Sequence, residues 1–187
     1  MESSLIIGLS SWVIQDGNYS DFKRGDHPAF ALEFRAPSAL SLVEGSGQAV
    51  SLAHLRDSTY RIVGKIVHVR DCEWWAIDVG VLMYQAGRPP PGAEEGSWIE
   101  GEAYVGVDHY AYMERFSRHH TAPGLIYDWT IEMIEIQTAP FIKVDERQRV
   151  RDPERLGWRQ IDATDAWKDG IADYLLHCER LANPPRR

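Results

Sequence analysis

The chain has 187 residues, of which 44% are hydrophobic and 26% are charged, and its formal net charge is −8 at pH 7. These values are typical of one folded domain and exclude a largely disordered chain. The sequence contains no run of about 18 apolar residues, so it predicts no membrane-spanning segment. No basic residue precedes the apolar run near the N-terminus, and Cys72 and Cys178 lie far apart, so we expect a cytoplasmic protein with free thiols.

The first third of the chain predicts two strands and a turn. Residues 5–14 form a mostly apolar run. In residues 28–34, large apolar side chains at positions 30, 32 and 34 alternate with smaller or charged ones. Between them, Asp16 and Gly17 predict a tight turn, because glycine tolerates positive φ and aspartate accepts hydrogen bonds from the nearby backbone. Residues 36–58 are rich in small side chains and show no pattern that predicts an element.

The middle of the chain has the strongest β patterns. Residues 60–71 and 74–84 are rich in β-branched and aromatic side chains on either side of a short turn, and they predict an antiparallel hairpin. Residues 88–97 contain three consecutive prolines and predict a loop, since proline cannot donate to a β ladder. Residues 98–108 alternate clearly and predict a strand, and residues 109–120 predict a short helical or irregular crossover.

The last third predicts a bulged strand, a charged arm and a helix. In residues 125–137 the apolar phase slips by one residue between Met133 and Ile134, which is typical of a β-bulge. Residues 143–159 mix acids with arginines and predict an exposed arm. Apolar side chains at helical spacing then predict a helix over residues 164–181. The side chains expected to pack this helix on the sheet are Trp167, Ile171, Tyr174 and Leu175.

Together these elements predict a mainly β protein, either a small antiparallel barrel or a strongly bent sheet, with one C-terminal helix packed against it. The layout resembles that of an oligonucleotide/oligosaccharide-binding (OB) barrel, and the resemblance is one of layout alone. We expect residues 1–142 to form the strand-rich barrel or sheet domain. Residues 143–187 are expected to add the charged arm and the C-terminal helix.

Two carboxylates fall in apolar strand segments and are candidate catalytic residues. Asp78 lies between apolar neighbours on the face that carries Trp74, and Glu33 lies in the alternating segment that begins at residue 28. A carboxylate in such a place must be hydrogen-bonded, paired or directed into a polar cavity. Two acids at a barrel mouth could act as acid and base on a small polar or sugar-like molecule. The alternative is a structural role, either in an ion pair or on an open sheet face.

The excess of negative charge lies in one segment. Residues 71–135 contain twelve acids and three bases. Because alternate residues of a strand share a face, Glu100 and Glu102 are expected to form part of an acidic β face. Such a face opposes nucleic-acid binding, which needs Lys and Arg, and it favours a basic protein partner or a cationic ligand. The expected ligand- or partner-binding residues are Trp74, Glu100, Glu102, Tyr104, Tyr110 and Tyr112.

The acidic segment is equally compatible with two roles that involve no partner. It could be plain solvated surface, or the arm could fold back over it and neutralise it. The arginines of the arm that could do so are Arg147, Arg149, Arg151, Arg155 and Arg159.

The densest group of possible metal ligands is His109, Glu114, His119 and His120. Their spacing does not match that of a zinc site, so we predict no metal and no cofactor. Two classes of function stay open, a binding module that presents the acidic face and a small enzyme with a barrel cavity. The sequence does not define the oligomeric state.

Overall fold

The structure is a computed structural model that describes residues 4–45, 48–145 and 149–187. It is mainly β, with 49% of residues in strands and 10% in helices. The strands within the described residues are β1 (Ser4–Ser10), β2 (Ala29–Phe30), β3 (Leu32–Arg35), β4 (Ser41–Val43), β5 (Ser51–Arg56), β6 (Thr59–Arg70), β7 (Trp74–Asp78), β8 (Leu82–Ala86), β9 (Trp98–Val107), β10 (Tyr127–Gln137), β11 (Phe141–Lys143), β12 (Arg149–Arg151), β13 (Trp158–Ile161) and β14 (Asp173–Arg180).

Short helices connect some of these strands. They are α1 (Ser11–Gln15), α2 (Ala111–Glu114) and α3 (Ala166–Asp169), together with 3₁₀ turns at Phe116–Arg118 and Pro153–Arg155. None of the helices within the described residues has the length and apolar character that crossing a membrane would require.

Five strands close into a barrel. The order around it is β9, β3, β8, β7, β6 and back to β9, and the neighbours are antiparallel except for β3 and β8. Core side chains from these strands that have no exposed surface include Phe34, Ile62, Ile66, Ile77, Met83 and Ile99. The predicted barrel is therefore confirmed as a closed barrel of five strands, whereas the finer OB-like layout is not confirmed.

A second set of strands extends the sheet beyond the barrel. β1 meets β9 through a parallel bridge between Gly8 and Gly106, and β14, β10 and β13 follow in that order. β14 lies between β1 and β10 and pairs antiparallel with both. At the junction the backbones approach closely, because a Cβ at Gly106 would lie 3.3 Å from the backbone oxygen of Gly8. The barrel and this second set of strands, called the second sheet below, are thus joined at a pair of glycines, where no side chain separates the backbones.

β7 is covered on both faces. Trp75 belongs to the main core and meets the ring of Phe34 edge-on at 5.0 Å. On the other face, Trp74 stacks on Phe116 of the first 3₁₀ turn, with 5.1 Å between the ring centroids. The crossover that contains α2 therefore seals the outer face of β7 with a second aromatic cluster.

Several local predictions are confirmed. β6 and β7 form the predicted hairpin, and residues 88–97 connect β8 to β9 as a loop. The register of β10 against β14 shifts between Ile131 and Met133, which is the predicted bulge displaced by about two residues. One predicted strand is too long, since the strand predicted over residues 5–14 ends at Ser10 and α1 begins at Ser11.

The predicted C-terminal helix over residues 164–181 is wrong. Only a single turn, α3, is helical, and it is followed by β14. Trp167 and Ile171, which the helical spacing places on the sheet, are 74% and 78% exposed, whereas Tyr174 and Leu175 are buried within β14. The physical reason is that β14 completes the hydrogen-bond ladders of both β1 and β10, and this tertiary pairing overrides the helical spacing.

The arm packs against itself, against β10 and against the segment that precedes β14. β11 and β12 form a hairpin, and β13 then joins the edge of β10. Arg151 donates to the carbonyl oxygens of Ala139 and Ile171 at 2.8 Å each, and its guanidinium lies 4.0 Å from the ring centroid of Phe141. These contacts do not involve the acidic residues of β9. Arg147 lies outside the described residues.

Candidate functional site

A cleft of about 540 Å³ lies where the barrel meets the second sheet. Its walls come from β1, β3, β9 and β14, from the turn between β5 and β6, and from Leu156 and Trp158 of the arm. The volume is in the range of small-molecule sites. The charged or titratable side chains that line the cleft include Glu33, Arg35, Arg56, Asp57, His109 and Asp173.

Glu33 is the buried carboxylate of this cleft. It lies on β3, opposite Gly106 of β9, and it is 8% exposed. Its Oε2 is 2.7 Å from Nδ1 of His109, and its Oε1 accepts a hydrogen bond from Nε of Arg35 at 3.3 Å. Both carboxylate oxygens therefore have partners, which offsets the cost of burying the charge.

His109 is held by the turn that follows β9. The preceding residue, Asp108, is fully buried and accepts hydrogen bonds from the hydroxyl of Tyr84 and from the backbone N–H groups of Tyr112 (3.2 Å) and Met113 (3.4 Å). Burial raises the pKa of the Asp108 carboxyl, and these hydrogen bonds oppose the rise. Asp108 thus ties the turn to the aromatic cluster and fixes the position from which His109 reaches Glu33.

Aromatic side chains surround the cleft. Trp12 is exposed, and its ring centroid lies 5.7 Å from that of His109. Tyr104 is also exposed, and it lies opposite Arg35 in the register of β9 and β3. On the arm side, Nε1 of Trp158 donates to Oδ1 of Asp57 at 2.8 Å. The cleft therefore combines exposed ring faces with polar groups of both charges.

The two candidate catalytic carboxylates lie in different settings. Glu33 lines the cleft beside His109. Asp78 lies at the turn between β7 and β8, where its Oδ1 accepts a hydrogen bond from the backbone N–H of Gly80 at 2.8 Å. Gly80 has a φ of 98°, so the carboxylate stabilises a turn that only glycine adopts readily. The structure does not bring the two acids together as a pair.

The predicted binding aromatics are also divided. Tyr104 lines the cleft, and Tyr110 packs edge-on against Tyr19 at 5.5 Å. Trp74 and Tyr112 have no exposed surface, because both belong to the cluster beneath α2. In this structure these two rings are therefore packing residues of the core.

The acidic face of β9 is partly balanced by its neighbour. Glu102 lies directly opposite Arg61 of β6, and residues opposite each other in a sheet share a face. Glu100 is exposed and lies opposite Val63. Glu102 thus has a basic cross-strand neighbour, whereas Glu100 lies between Val63 of β6 and Ser41 of β4.

His109 and Trp12 are among the cleft residues that the sequence does not reveal. In the sequence His109 stands out only within a poorly spaced group of metal ligands, and its partner Glu33 lies 76 positions earlier in the chain. The apolar run places Trp12 within a strand, yet α1 turns it towards His109. No local pattern marks either contact, since both depend on how distant segments meet.

Comparison of the chain with protein-family models, with curated proteins and with solved structures finds no match. Its function must therefore be inferred from the chemistry of the site.

Proposed function

We propose that the protein binds a small polar, sugar-like molecule in the cleft and that Glu33 and His109 transfer a proton to or from it. The observation that carries the proposal is the 2.7 Å contact between the buried Glu33 carboxylate and Nδ1 of His109 at a cleft of about 540 Å³. Charged groups of both signs favour a ligand with hydroxyl groups over one with a large net charge. The exposed ring of Trp12 offers a face on which a sugar ring can stack.

The chemistry depends on the tautomer that Glu33 selects. When Nδ1 of His109 donates to Glu33, Nε2 of the neutral imidazole is left as an acceptor. Nε2 can then take a proton from a ligand hydroxyl, and the carboxylate stabilises the imidazolium that forms. Arg35 and Arg56 supply donors for ligand oxygens. This arrangement corresponds to a small acid–base enzyme.

The proposal is tested with a panel of monosaccharides, polyols and hydroxy acids. We expect at least one compound to raise the melting temperature, and its affinity is then measured by calorimetry. Glu33→Gln should weaken binding about tenfold, because the histidine loses its charged partner. Glu135→Gln is the matched control, since Glu135 forms a similar 2.8 Å contact with His177 outside the cleft, and it should leave binding unchanged.

The proton-transfer part has its own readout. For a compound that is converted, His109→Gln should abolish turnover while retaining binding within a few-fold. A panel without a binding compound, or a compound that binds Glu33→Gln and Glu135→Gln equally well, would contradict the proposal.

A second candidate function is the binding of a basic protein partner by the outer face of β9. Glu100 and Tyr104 are exposed on this face, which favours it, whereas Arg61 opposite Glu102 weakens its charge. Polylysine serves as a simple basic ligand. We expect Glu100→Lys to reduce polylysine binding at low salt, with the difference disappearing near about 1 M salt. Binding that is insensitive to Glu100→Lys would contradict this candidate.

A cytoplasmic location is part of the proposal. Cys72 is exposed and Cys178 is buried, and both thiols are free. Free thiols of this kind are typical of a reducing compartment. Mass spectrometry of the protein from its native source should find Cys72 reduced.

A further inference from the structure

Arg35 and His109 are bonded to the two oxygens of one carboxylate in the cleft. Oε2 of Glu33 is 2.7 Å from Nδ1 of His109, and Oε1 of Glu33 accepts a hydrogen bond from Nε of Arg35 at 3.3 Å. All three residues line the cleft. Because the two oxygens belong to one small planar group, the imidazole and the guanidinium lie close to each other. A ligand that reaches His109 therefore comes near Arg35 as well.

Arg35 keeps most of its donors free for a ligand. Its side chain is 67% exposed, so a ligand can reach it from the cleft. A guanidinium has five N–H groups in a fixed planar fork, and the bond to Glu33 uses the one on Nε. No other hydrogen bond engages this side chain within the residues that the structure describes. The two terminal nitrogens remain, and their parallel N–H groups match the two oxygens of a carboxylate.

The other two acids that line the cleft have donors from the protein. Oδ1 of Asp57 accepts from Nε1 of Trp158 at 2.8 Å, and Oδ1 of Asp173 accepts from the hydroxyl of Ser10 at 2.9 Å. The second arginine is in the opposite situation. Arg56 is exposed and has neither a hydrogen bond nor an ion pair within the described part of the chain. The cleft thus has arginine N–H groups that lack an acceptor, whereas each of its carboxylates has a donor.

The balance of charge limits the ligand to a single anionic group. The described residues that line the cleft include three carboxylates and two arginines, so the cleft is close to neutral. A phosphate group carries a charge of about −1.5 to −2 at pH 7, and the three carboxylates would repel it strongly. A ligand carboxylate carries one charge and has the planar shape that a guanidinium fork binds.

The neighbours of Arg35 supply surface for the rest of the ligand. Arg35 lies opposite Tyr104, Tyr104 lies opposite Thr59 of β6, and Thr59 lies opposite Arg56. These residues form one row across β3, β9, β6 and β5, and residues opposite each other share a face. A ligand held by Arg35 therefore has an exposed tyrosine ring beside it and a second arginine farther along the row.

We propose that the ligand of the cleft is a sugar acid and that Arg35 is the residue that selects it. The inference rests on the proposed function and adds the chemical class of the ligand. The two terminal nitrogens of Arg35 donate to the carboxylate of the ligand. A hydroxyl close to that carboxylate is then the group that exchanges a proton with His109.

The test compares three sugar acids with their primary amides, which have nearly the same shape but no charge. The acids are glucuronate, galacturonate and gluconate, and their binding to the full chain is measured by calorimetry at about pH 7. We expect at least one acid to bind about tenfold more tightly than its amide, because hydrogen bonds to a charged acceptor are the stronger ones. This comparison needs no variant, so it holds even where a variant fails to fold.

Two variants assign the preference to Arg35. Arg35→Gln should weaken binding of the acid about tenfold and change binding of the amide little, so that the two affinities become similar. A residue that only positions Glu33 would weaken both and leave their ratio unchanged. Arg155→Gln is the matched control, since Nε of Arg155 lies 3.5 Å from a carboxylate oxygen of Asp152 and its side chain is 75% exposed, but it does not line the cleft. It should keep the ratio of the wild type.

The outcomes separate this inference from the proposed function. Acids and amides that bind equally well, and that Glu33→Gln weakens alike, would overturn the inference and leave the proposed function standing. A preference for the acid that Arg35→Gln removes, with binding that Glu33→Gln does not weaken, would support the anion site and contradict the proposed function. The inference would also be overturned if Arg35→Gln kept the preference, if glucose 6-phosphate bound more tightly than every acid, or if none of the acids bound.

Discussion

Asp108 carries a carboxylate with no exposed surface beneath α2. Burial raises its pKa in the folded protein, so the folded state binds a proton more readily than the unfolded chain does. Stability from this group is therefore gained as pH falls from the folded-state pKa towards the unfolded value of about 3.9, and it is lost again as pH rises. The ionised form is kept in place by the hydroxyl of Tyr84 and by two backbone N–H groups.

We predict that Asp108→Asn removes this pH dependence. The amide keeps an oxygen that can accept from Tyr84 but carries no charge to titrate. Urea unfolding of both proteins should show that the wild type gains stability relative to the variant as the pH falls from about 7.5 to about 4. A difference that is the same at both pH values would contradict the assignment, and Asp108→Ala should cost about 1–3 kcal/mol at either pH because Tyr84 and the N–H groups lose their acceptor.

The role of a single residue is predictable from the sequence only where its neighbours in the chain indicate it. Glu33 stands out because a carboxylate in an alternating apolar segment needs a partner, and in the structure it has two. Trp74 resembles a binding residue because the sequence shows no cover for that face of its strand. Trp74 is buried by Tyr112 and Phe116, which lie about forty positions later in the chain. The pattern of residues within a strand cannot predict that such distant side chains will cover it.

Among the elements, β14 shows why periodicity fails for a central strand. Its side chains are buried on both faces, so apolar residues follow one another and do not alternate. Such a run also fits helical spacing, and the exposed Trp167 and Ile171 before it extend the false helix. In contrast, the hairpin of β6 and β7 is predictable, because its turn and its β-branched strands are adjacent in the sequence.

Alanine substitutions separate a helical from an extended form of this segment. Trp167→Ala and Ile171→Ala should change the free energy of unfolding by less than about 0.5 kcal/mol, because both side chains are exposed. Leu176→Ala should cost about 2–5 kcal/mol, because Leu176 has no exposed surface and lies between Ile7 of β1 and Ile134 of β10. Denaturant unfolding measures all three, and a large loss for Trp167→Ala would favour the helix.

At the scale of the whole molecule, the barrel is predictable and the second sheet is not. Each barrel strand carries its own pattern, and a set of such strands with short turns has few ways to bury its apolar faces. The second sheet instead joins β1 to β14 and β14 to β10, and β9 to β1 through two glycines. A glycine in a strand indicates that another backbone can approach closely, but it does not show which segment that backbone belongs to. This architecture therefore cannot be derived from local patterns.

Removing residues 143–187 should therefore disrupt more than an appendage. The shortened chain loses β14 and leaves β1 and β10 with unpaired edges in the middle of the sheet. We predict that it shows no cooperative thermal unfolding and aggregates. Removing only residues 182–187 is the control, because it leaves every strand intact and deletes the contacts of the tail alone, which are the bonds of Arg186 and Asn183 to Asp128 and the backbone pairing of Arg186 with Ile126. Cooperative unfolding of the chain that ends at residue 142 would contradict this prediction.

The position of β14 also orders events in time as the chain leaves the ribosome. β1 precedes every barrel strand in the chain, but its antiparallel partner lies about 170 positions later, as in the pairing of Leu5 with Cys178. The barrel strands emerge in between and can close first. Until β14 arrives, β1 and β10 present apolar faces and open edges, which is the situation in which nascent chains need chaperones. We therefore expect this connectivity to slow folding, because β1 gains its antiparallel partner only after β14 has been made.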